Sequence, residues 1–458
     1  MPFRRLLSNV NHSIFWYTPH YWTCRNWLWW SGQVSLILYA ALHLLWYRVG
    51  SPAETFMALS GLTALLIYGK GIRNAAAVWL LFAAIGVQLL SWTLGYFHHP
   101  EWVADNPQID RLAKLFIFIG VAWWLGGSTR NTLMVWLLAL LGYLVTTFVQ
   151  GDGIKEWITG FGGQRVGFGI RNNQHASMLF GVALLGLIVF FRRFASPGRA
   201  RVWRIGLWTC LTIICLSGVL VGQTRAVWLS LGLALPCVGI VWLIKQARHS
   251  STNRQHYKPL IISAGVFLVL LGGIGTAFHE TLKQRLTKES GVIAQLASGN
   301  IETLPYSSIG IRIHSWRAAM EWIEERPLVG WGGEGRSLVI EHTDWLPNTV
   351  KQNYGHLHNF FLEIWVAYGA LGFVVIAALA VWVGRATWLA WRGGALPGDM
   401  ALFGAGFFVY WLVINQFESY NSFSTGVFVH NLIVGGLITH YWKWQYSTKH
   451  SAVQRSSQ

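Results

Sequence analysis

The sequence predicts an all-α integral membrane protein of about 12 transmembrane helices, with one large loop that itself contains helices. Three observations carry this. Of 458 residues, 53% are hydrophobic and only 12% charged, too few charges to solvate the surface of a soluble protein of this size. Apolar runs of roughly 18 residues or more recur along the whole chain, each able to cross a hydrocarbon core of about 30 Å as a helix. Runs such as Met178 to Phe191 are continuously apolar, whereas a closed barrel, the other way to span a bilayer, alternates over strands of about 10 residues.

Spans are expected near residues 28–47, 52–69, 74–96, 112–126, 131–150, 174–191, 205–222, 226–244, 259–278, 358–383, 401–417 and 427–442. The first run, Trp27 to Tyr47, is too long for a signal-peptide core and lacks a small-residue cleavage site, so it reads as a retained span. The fourth is short and carries Lys114 near its outer end, from which a long side chain can snorkel to the interface. Between the ninth and tenth spans, His279 to Leu357 forms a loop of roughly 80 residues. The chain thus divides into nine spans (1–278), a long loop (279–357), and three spans with a tail (358–458). Within the loop, Ile313, Trp316, Met320 and Ile323 recur at helical spacing over Ile311 to Glu325. Arg326-Pro327 ends that helix, because the residue before a proline disfavours the α region.

Lys and Arg are retained on the cytoplasmic side, and alternate loops separate cleanly by charge. One set holds Lys70 and Arg73; Arg130; Arg192, Arg193, Arg199, Arg201 and Arg204; Lys245, Arg248, Arg254 and Lys258; and Arg385 and Arg392. Arg4 and Arg5 at one terminus and Lys443, Lys449 and Arg455 at the other fall with them, and Asp399 is the only acid that joins. Both termini are therefore expected in the cytoplasm and the long loop outside.

This partition accounts for the formal charge of +17 as positive-inside anchoring beside anionic lipid, and no basic motif of a DNA-binding type accompanies it. Cys24, Cys210, Cys215 and Cys237 lie in or beside spans without the spacing of a zinc site or a disulfide framework. The 28 Trp are mostly explained by interfacial belts. Gly330-Trp331-Gly332-Gly333-Glu334-Gly335 lacks the Gly-Lys-Ser/Thr ending of a nucleotide loop and lies outside, where no ATP is available. Any synthetic reaction there needs a donor already activated.

Three outward clusters can carry chemistry: Gly222-Gln223-Thr224-Arg225, Ser308-Ile309-Gly310-Ile311-Arg312, and Gly355-His356-Leu357-His358-Asn359. Arg225 reads equally as a snorkelling interfacial arginine and as a phosphate ligand, its planar fork suiting phosphate oxygens. Arg312 opens the amphipathic helix, where a cation opposes the macrodipole unless an anion lies between them. The bland alternative is a solvated loop arginine. His358, where the long loop re-enters the membrane, has the ordinary pKa of about 6.5 suited to proton transfer near neutrality. His356 and His358 invite a metal reading, but i and i+2 diverge by about 200° at a helix start, and no metal is expected. Glu363, an acid in an otherwise apolar span, is a functional candidate and equally a hydrogen-bonded structural group.

These residues resemble the O-antigen ligase and polymerase superfamily of bacterial membrane glycosyltransferases. The most specific part is His358-Asn359, nine residues, then Gly369-Ala370-Leu371-Gly372, similar to the ligase signature of His-Asn, nine residues, and Gly-x-x-Gly. Arg312-Ile313-His314-Ser315-Trp316-Arg317, Arg326-Pro327-Leu328-Val329-Gly330-Trp331-Gly332 and Thr224-Arg225-Ala226-Val227-Trp228 support it in order. The resemblance implies about 12 spans in the inner membrane and one large periplasmic loop. It implies en bloc transfer of a glycan from undecaprenyl pyrophosphate to a hydroxyl, inverting, without metal or other cofactor, and without nucleotide or nucleic acid. By resemblance His358 is the general base, and Arg225 and Arg312 hold the pyrophosphate. Arg171, Gln223, His356 and Asn359 are further candidates for binding donor or acceptor.

The acceptor separates a ligase (lipid A-core), a polymerase (another lipid-linked glycan) and a protein O-oligosaccharyltransferase. The chain stops within about 16 residues of the last expected span, which disfavours the third, and the His-Asn signature favours the ligase. A transporter or flippase for the same lipid is the reading from another class. It is disfavoured because the key groups cluster at one surface and no inverted repeat is visible.

Overall fold

In a computed structural model, residues 22–249, 283, 287, 290–299, 301 and 303–456 are described. They are helical, with no strand among them. The expected span 259–278 lies outside the described residues. In chain order the helices are α1 (Asn26–Leu42), α2 (Tyr47–Tyr68), α3 (Ala76–His98), α4 (Asp110–Ala113), α5 (Phe118–Leu125), α6 (Thr129–Val149), α7 (Ile154–Phe161), α8 (Asn173–Phe194), α9 (Arg201–Val221) and α10 (Arg225–His249). They continue as α11 (Ser290–Ala297), α12 (Ser308–Glu325), α13 (Gly335–His342), α14 (Asn348–Asn353), α15 (Phe360–Arg392), α16 (Gly398–Ile414) and α17 (Ser424–Ser456). Among the described residues, six helices, α3, α6, α8, α9, α10 and α15, are long and apolar enough to cross a membrane. The protein is a multi-pass membrane protein.

The segment expected as a fourth span is an interrupted helix. Residues 110–125 form α4, a 3-10 turn over Lys114–Phe116, and the eight-residue α5. The run extends from Arg111, which pairs with Glu334 of the long loop, to Gly127, which bonds Thr439. Every residue of α5 is buried, packed by α1, α2 and α17. The break frees backbone groups that a neighbour must satisfy. Asn431 does so, accepting from the Phe118 N–H at 2.7 Å and donating to the Lys114 carbonyl at 2.8 Å. Gly61 and Gly120 meet where α2 crosses α5, and Gly435 of α17 faces Val121, small residues that let helices approach closely.

The turns rich in Lys and Arg gather at one end of the bundle. Arg193 forms a bidentate pair with Asp399 at 2.5 and 2.8 Å. Gly127 N–H donates to Thr439 at 2.6 Å and Thr129 bonds His440 at 3.1 Å, placing the turn before Arg130 against the last part of α17. The N-terminus of α8, its 22 residues and about 33 Å away, lies at the other end with His358.

The long loop packs onto that far end. Helix α12 begins one turn earlier than expected, capped by Ser307, whose Oγ accepts from the Gly310 N–H at 3.3 Å. Its buried face is Ile311, Ser315, Ala318, Ala319, Trp322 and Ile323, while Met320 is exposed. The expected face is thus rotated, because the small Ala318 and Ala319 admit close packing against α13 and α15. A second core forms there from Trp322, Trp331, Leu338, Val339, Leu357 and Val366.

Helix α15 is interrupted at Gly369, with φ 61° and ψ −161°, a conformation open essentially to glycine alone. The carbonyls and N–H groups freed there pair with the loop: Trp331 N–H to Val366 O at 2.9 Å, Gly332 N–H to Ala367 O at 2.8 Å, and Ala370 N–H to Pro327 O at 2.8 Å. Gly330, at φ 67°, sits directly on the Val366 and Ala367 backbone. Gly369 and Gly330 are thus explained by one backbone-to-backbone junction.

Candidate active site

Four chain segments meet at the far end of the bundle: the residues before α8, the α13 helix, the His356–Asn359 turn, and the link between α16 and α17. Asn359 caps α15, its Oδ1 accepting from Phe361 and Leu362 N–H at 3.0 and 3.2 Å, and its Nδ2 reaches Gln416 Oε1 at 3.3 Å. Phe360 N–H also donates to Asn415 O at 3.0 Å. The cap thereby staples the histidine turn to residues 415–423.

His358 stands one residue before the cap with φ 52°, in the left-handed region where non-glycine residues are uncommon and often functional. Its Nδ1 bonds Glu418 Oε2 at 3.0 Å. Glu418 is fully buried, and its other oxygen accepts from the Ser419 N–H at 3.1 Å and lies 3.5 Å from His356 Nδ1. Burial alone would raise the Glu418 carboxyl, but the His358 hydrogen bond and the charges of His358, His356 and His175 outweigh it and bring the pKa down to about 2. His356 is pushed the other way, to about 4, by burial first and by His358 second, against the pull of Glu418 and Glu363. It is neutral near pH 7, consistent with its Nδ1 accepting the His358 backbone N–H at 3.3 Å. The two rings are 3.9 Å apart between centroids. The expected divergence of i and i+2 does not arise, since both histidines precede the helix.

Glu363 is held as a structural hub. It accepts from Leu357 N–H at 3.2 Å, Ser419 Oγ at 2.6 Å, Ser422 Oγ at 2.9 Å and Arg336 Nη1 at 3.4 Å. Arg171 stacks on Phe423 with its guanidinium carbon 3.6 Å from the ring centroid, and Arg336 approaches the same ring at 5.4 Å. Burial, then repulsion from Arg336, lowers the Arg171 pKa, with Glu418 opposing.

Arg312 reaches α8 through Gln174, Nη2 to Oε1 at 3.3 Å, and the Gln174 carbonyl accepts from the Tyr420 hydroxyl at 3.2 Å. Arg165, from the segment after α7, donates to Gly222 O at 3.0 Å and Thr224 Oγ1 at 3.1 Å. Gln223, at φ 47°, donates to Gly163 O at 2.8 Å, so it holds its own turn. That turn ends in Arg225, half-buried at the first residue of α10. Gly222 of that turn packs against Ser177 of α8, one turn past Gln174, which sets the Arg225 turn beside the cluster.

The structure thus brings Arg171, Arg312, His356, His358 and Asn359 into one connected patch and sets Gln223 and Arg225 at its margin. Sequence reasoning missed Glu418, Arg336 and Arg165. For Glu418 a signal existed: a carboxylate within the short polar stretch Asn415-Gln416-Phe417-Glu418-Ser419 between two apolar runs. His356, His358 and Glu418 offer ligand atoms within 4.8 Å of one another and can by composition hold a divalent ion. The nearby guanidinium groups of Arg171 and Arg336 oppose a cation there, and Glu418 Oε2 is already engaged by His358.

Residues 210–377 match the family model described as O-antigen ligase. This segment is an O-antigen ligase family domain. It contains Arg225, Arg312, Arg336, His356, His358, Glu363 and the Gly369 junction, while Arg171, Glu418 and Phe423 lie beyond its limits. The chain is also similar to an uncharacterized protein of Haemophilus influenzae, 32% identical over 92 residues, which covers 19% of this chain and 22% of that protein.

Proposed function

We propose that the protein is an O-antigen ligase of the bacterial inner membrane, with both termini cytoplasmic and the site on the periplasmic side. It transfers a glycan en bloc from undecaprenyl pyrophosphate to a hydroxyl of lipid A-core oligosaccharide. The observation that supports this best is the convergence of one imidazole, His358, with guanidinium groups from three separate segments, Arg171, Arg312 and Arg336. A polyanionic leaving group and a hydroxyl nucleophile require that combination: fixed positive charge and a base.

In this reading His358 removes the acceptor proton as the hydroxyl oxygen attacks the anomeric carbon from the face opposite the pyrophosphate, with inversion. The bond from the anomeric carbon to the phosphate oxygen breaks and its electron pair leaves with the pyrophosphate. Arg312 and Arg225, aided by Arg171, meet the charge that develops. Guanidinium groups already in place do so without reorganising, and they cannot lose their charge near neutrality.

The test is reconstitution of purified protein with lipid-linked glycan and, separately, lipid A-core, a second lipid-linked glycan, or a peptide. Transfer to lipid A-core is expected, and His358→Ala should lower turnover by about 10²–10⁴-fold while donor binding persists. Arg225→Ala and Arg312→Ala should weaken donor binding. Transfer only to a second lipid-linked glycan makes the enzyme a polymerase, and lipid movement without any transfer makes it a transporter.

A further inference from the structure

We infer that Glu418 is the positioning residue for His358, forming with it a buried carboxylate–imidazole pair that leaves Nε2 as the basic nitrogen; this rests on the proposed general-base role of His358. The geometry is specific. Glu418 Oε2 is 3.0 Å from His358 Nδ1, so the Nδ1 proton points at the carboxylate and the lone pair lies on Nε2. A carboxylate partner fixes both tautomer and ring orientation. Glu418 comes from the link between α16 and α17, outside the residues that match the ligase family.

The link is held so that the carboxylate cannot turn away. Ser419 N–H donates to Glu418 Oε1 at 3.1 Å, and the Ser419 hydroxyl is anchored on Glu363 at 2.6 Å. Asn359 and Phe360 tie Gln416 and Asn415 to the first turn of α15. Base and carboxylate, 60 residues apart, are therefore mounted on one rigid junction. The charged and titratable groups facing Glu418 are His356 and His358 from the turn before α15, His175 from α8, Arg171 from the preceding loop, and Tyr420 from the link itself. Glu363 and Arg336 stand behind His356.

The proton balance is simple. The acceptor O–H proton moves to His358 Nε2, the Nδ1 proton stays where it is, and the imidazolium that results faces an ionised Glu418. The carboxylate takes no proton. It stabilises the imidazolium that forms, as an anion in hydrogen-bond contact with it.

Four purified variants decide the matter: Glu418→Gln, Glu418→Asp, His358→Ala and the double variant Glu418→Gln with His358→Ala, each measured for kcat, donor KM, melting temperature and the pH dependence of kcat. Glu418→Gln should lose about 10²–10⁴-fold in kcat with little change in KM. Its acid limb should move to lower pH, because the imidazolium loses its anionic partner. Glu418→Asp should restore part of kcat and the original limb. The double variant Glu418→Gln with His358→Ala should be no slower than His358→Ala alone. If His358→Ala is inactive while Glu418→Gln keeps wild-type kcat and limb, Glu418 has no positioning role and the base assignment survives. A kcat loss in Glu418→Gln with an unmoved limb means a purely structural role and overturns the inference. A His358→Ala enzyme with normal turnover removes the base assignment instead. Should Glu418→Gln fail to fold, the limb in Glu418→Asp decides: a displaced limb supports the pairing, and a wild-type limb with reduced kcat overturns it.

Discussion

His356 and His358 share one turn and face the same carboxylate, yet their tasks differ. His358 presents one nitrogen to Glu418 and keeps the other for chemistry. His356 is wedged between Glu418 and Glu363 at 3.5 and 3.7 Å and carries a pKa near 4. The unfolded value is about 6.5, so the unfolded chain binds a proton that the folded protein refuses between those limits. Stability should fall as pH drops from about 6.5 toward 4. Glu418, held near 2, contributes stability above the ordinary carboxylate range that disappears only as pH falls further, through about 4.5 to 2. Melting temperature in detergent should therefore decline below pH 6.5, and His356→Gln should flatten that decline; an identical slope in the variant removes His356 as its source. His358 and Arg312 were legible in sequence because each sits in a short motif. Glu418 carried only the signal of a carboxylate in a short polar stretch, and nothing local links it to a histidine 60 residues earlier. Asn359 was legible as a motif residue, but its task, capping α15, became clear only with the Phe361 and Leu362 N–H bonds.

The element most informative about the ligase signature is α15. Nine residues separate Asn359 from Gly369 because the first nine residues of the helix, about 13 Å, span from the histidine turn to the junction with Pro327–Gly332. A Cβ at Gly369 would collide with the Leu328 and Val329 backbone, and its φ of 61° with ψ −161° is costly for any other residue. Gly369→Ala should cost at least about 1–3 kcal/mol, read as a lowered melting temperature. It should also reduce turnover, since the displaced half-helix carries His358. A variant as stable and active as wild type would show that the junction tolerates a side chain. Apolar length anticipated most helices, α3, α6, α8, α9 and α10 among them. It did not reveal the interruption at residues 110–125, which is satisfied by Asn431, more than 300 residues later. It also misplaced the face of α12, where small residues rather than large ones mark the contact.

Across the whole molecule, basic turns and candidate site occupy opposite ends, about 33 Å apart along α8. That polarity was the feature most readable in the sequence, since charge is distributed by the membrane and needs no long-range contact to decode. Labelling can test the direction. With the free Cys24, Cys210, Cys215 and Cys237 replaced by serine, an impermeant maleimide applied to spheroplasts should modify Ser298→Cys, and Arg199→Cys only after permeabilisation. The reverse pattern would invert the assigned orientation. The loop core on the site side offers one more handle. Trp322 and Trp331 lie 4.7 Å apart between centroids at 56°, with Trp102 within 5.7 Å of both. Indoles this close and this inclined share their excitation, splitting one absorption band into a pair of opposite optical sign. Trp331 is anchored by the same backbone bonds that close the Gly369 junction, so circular dichroism reads whether the loop is seated, with no label and no substrate.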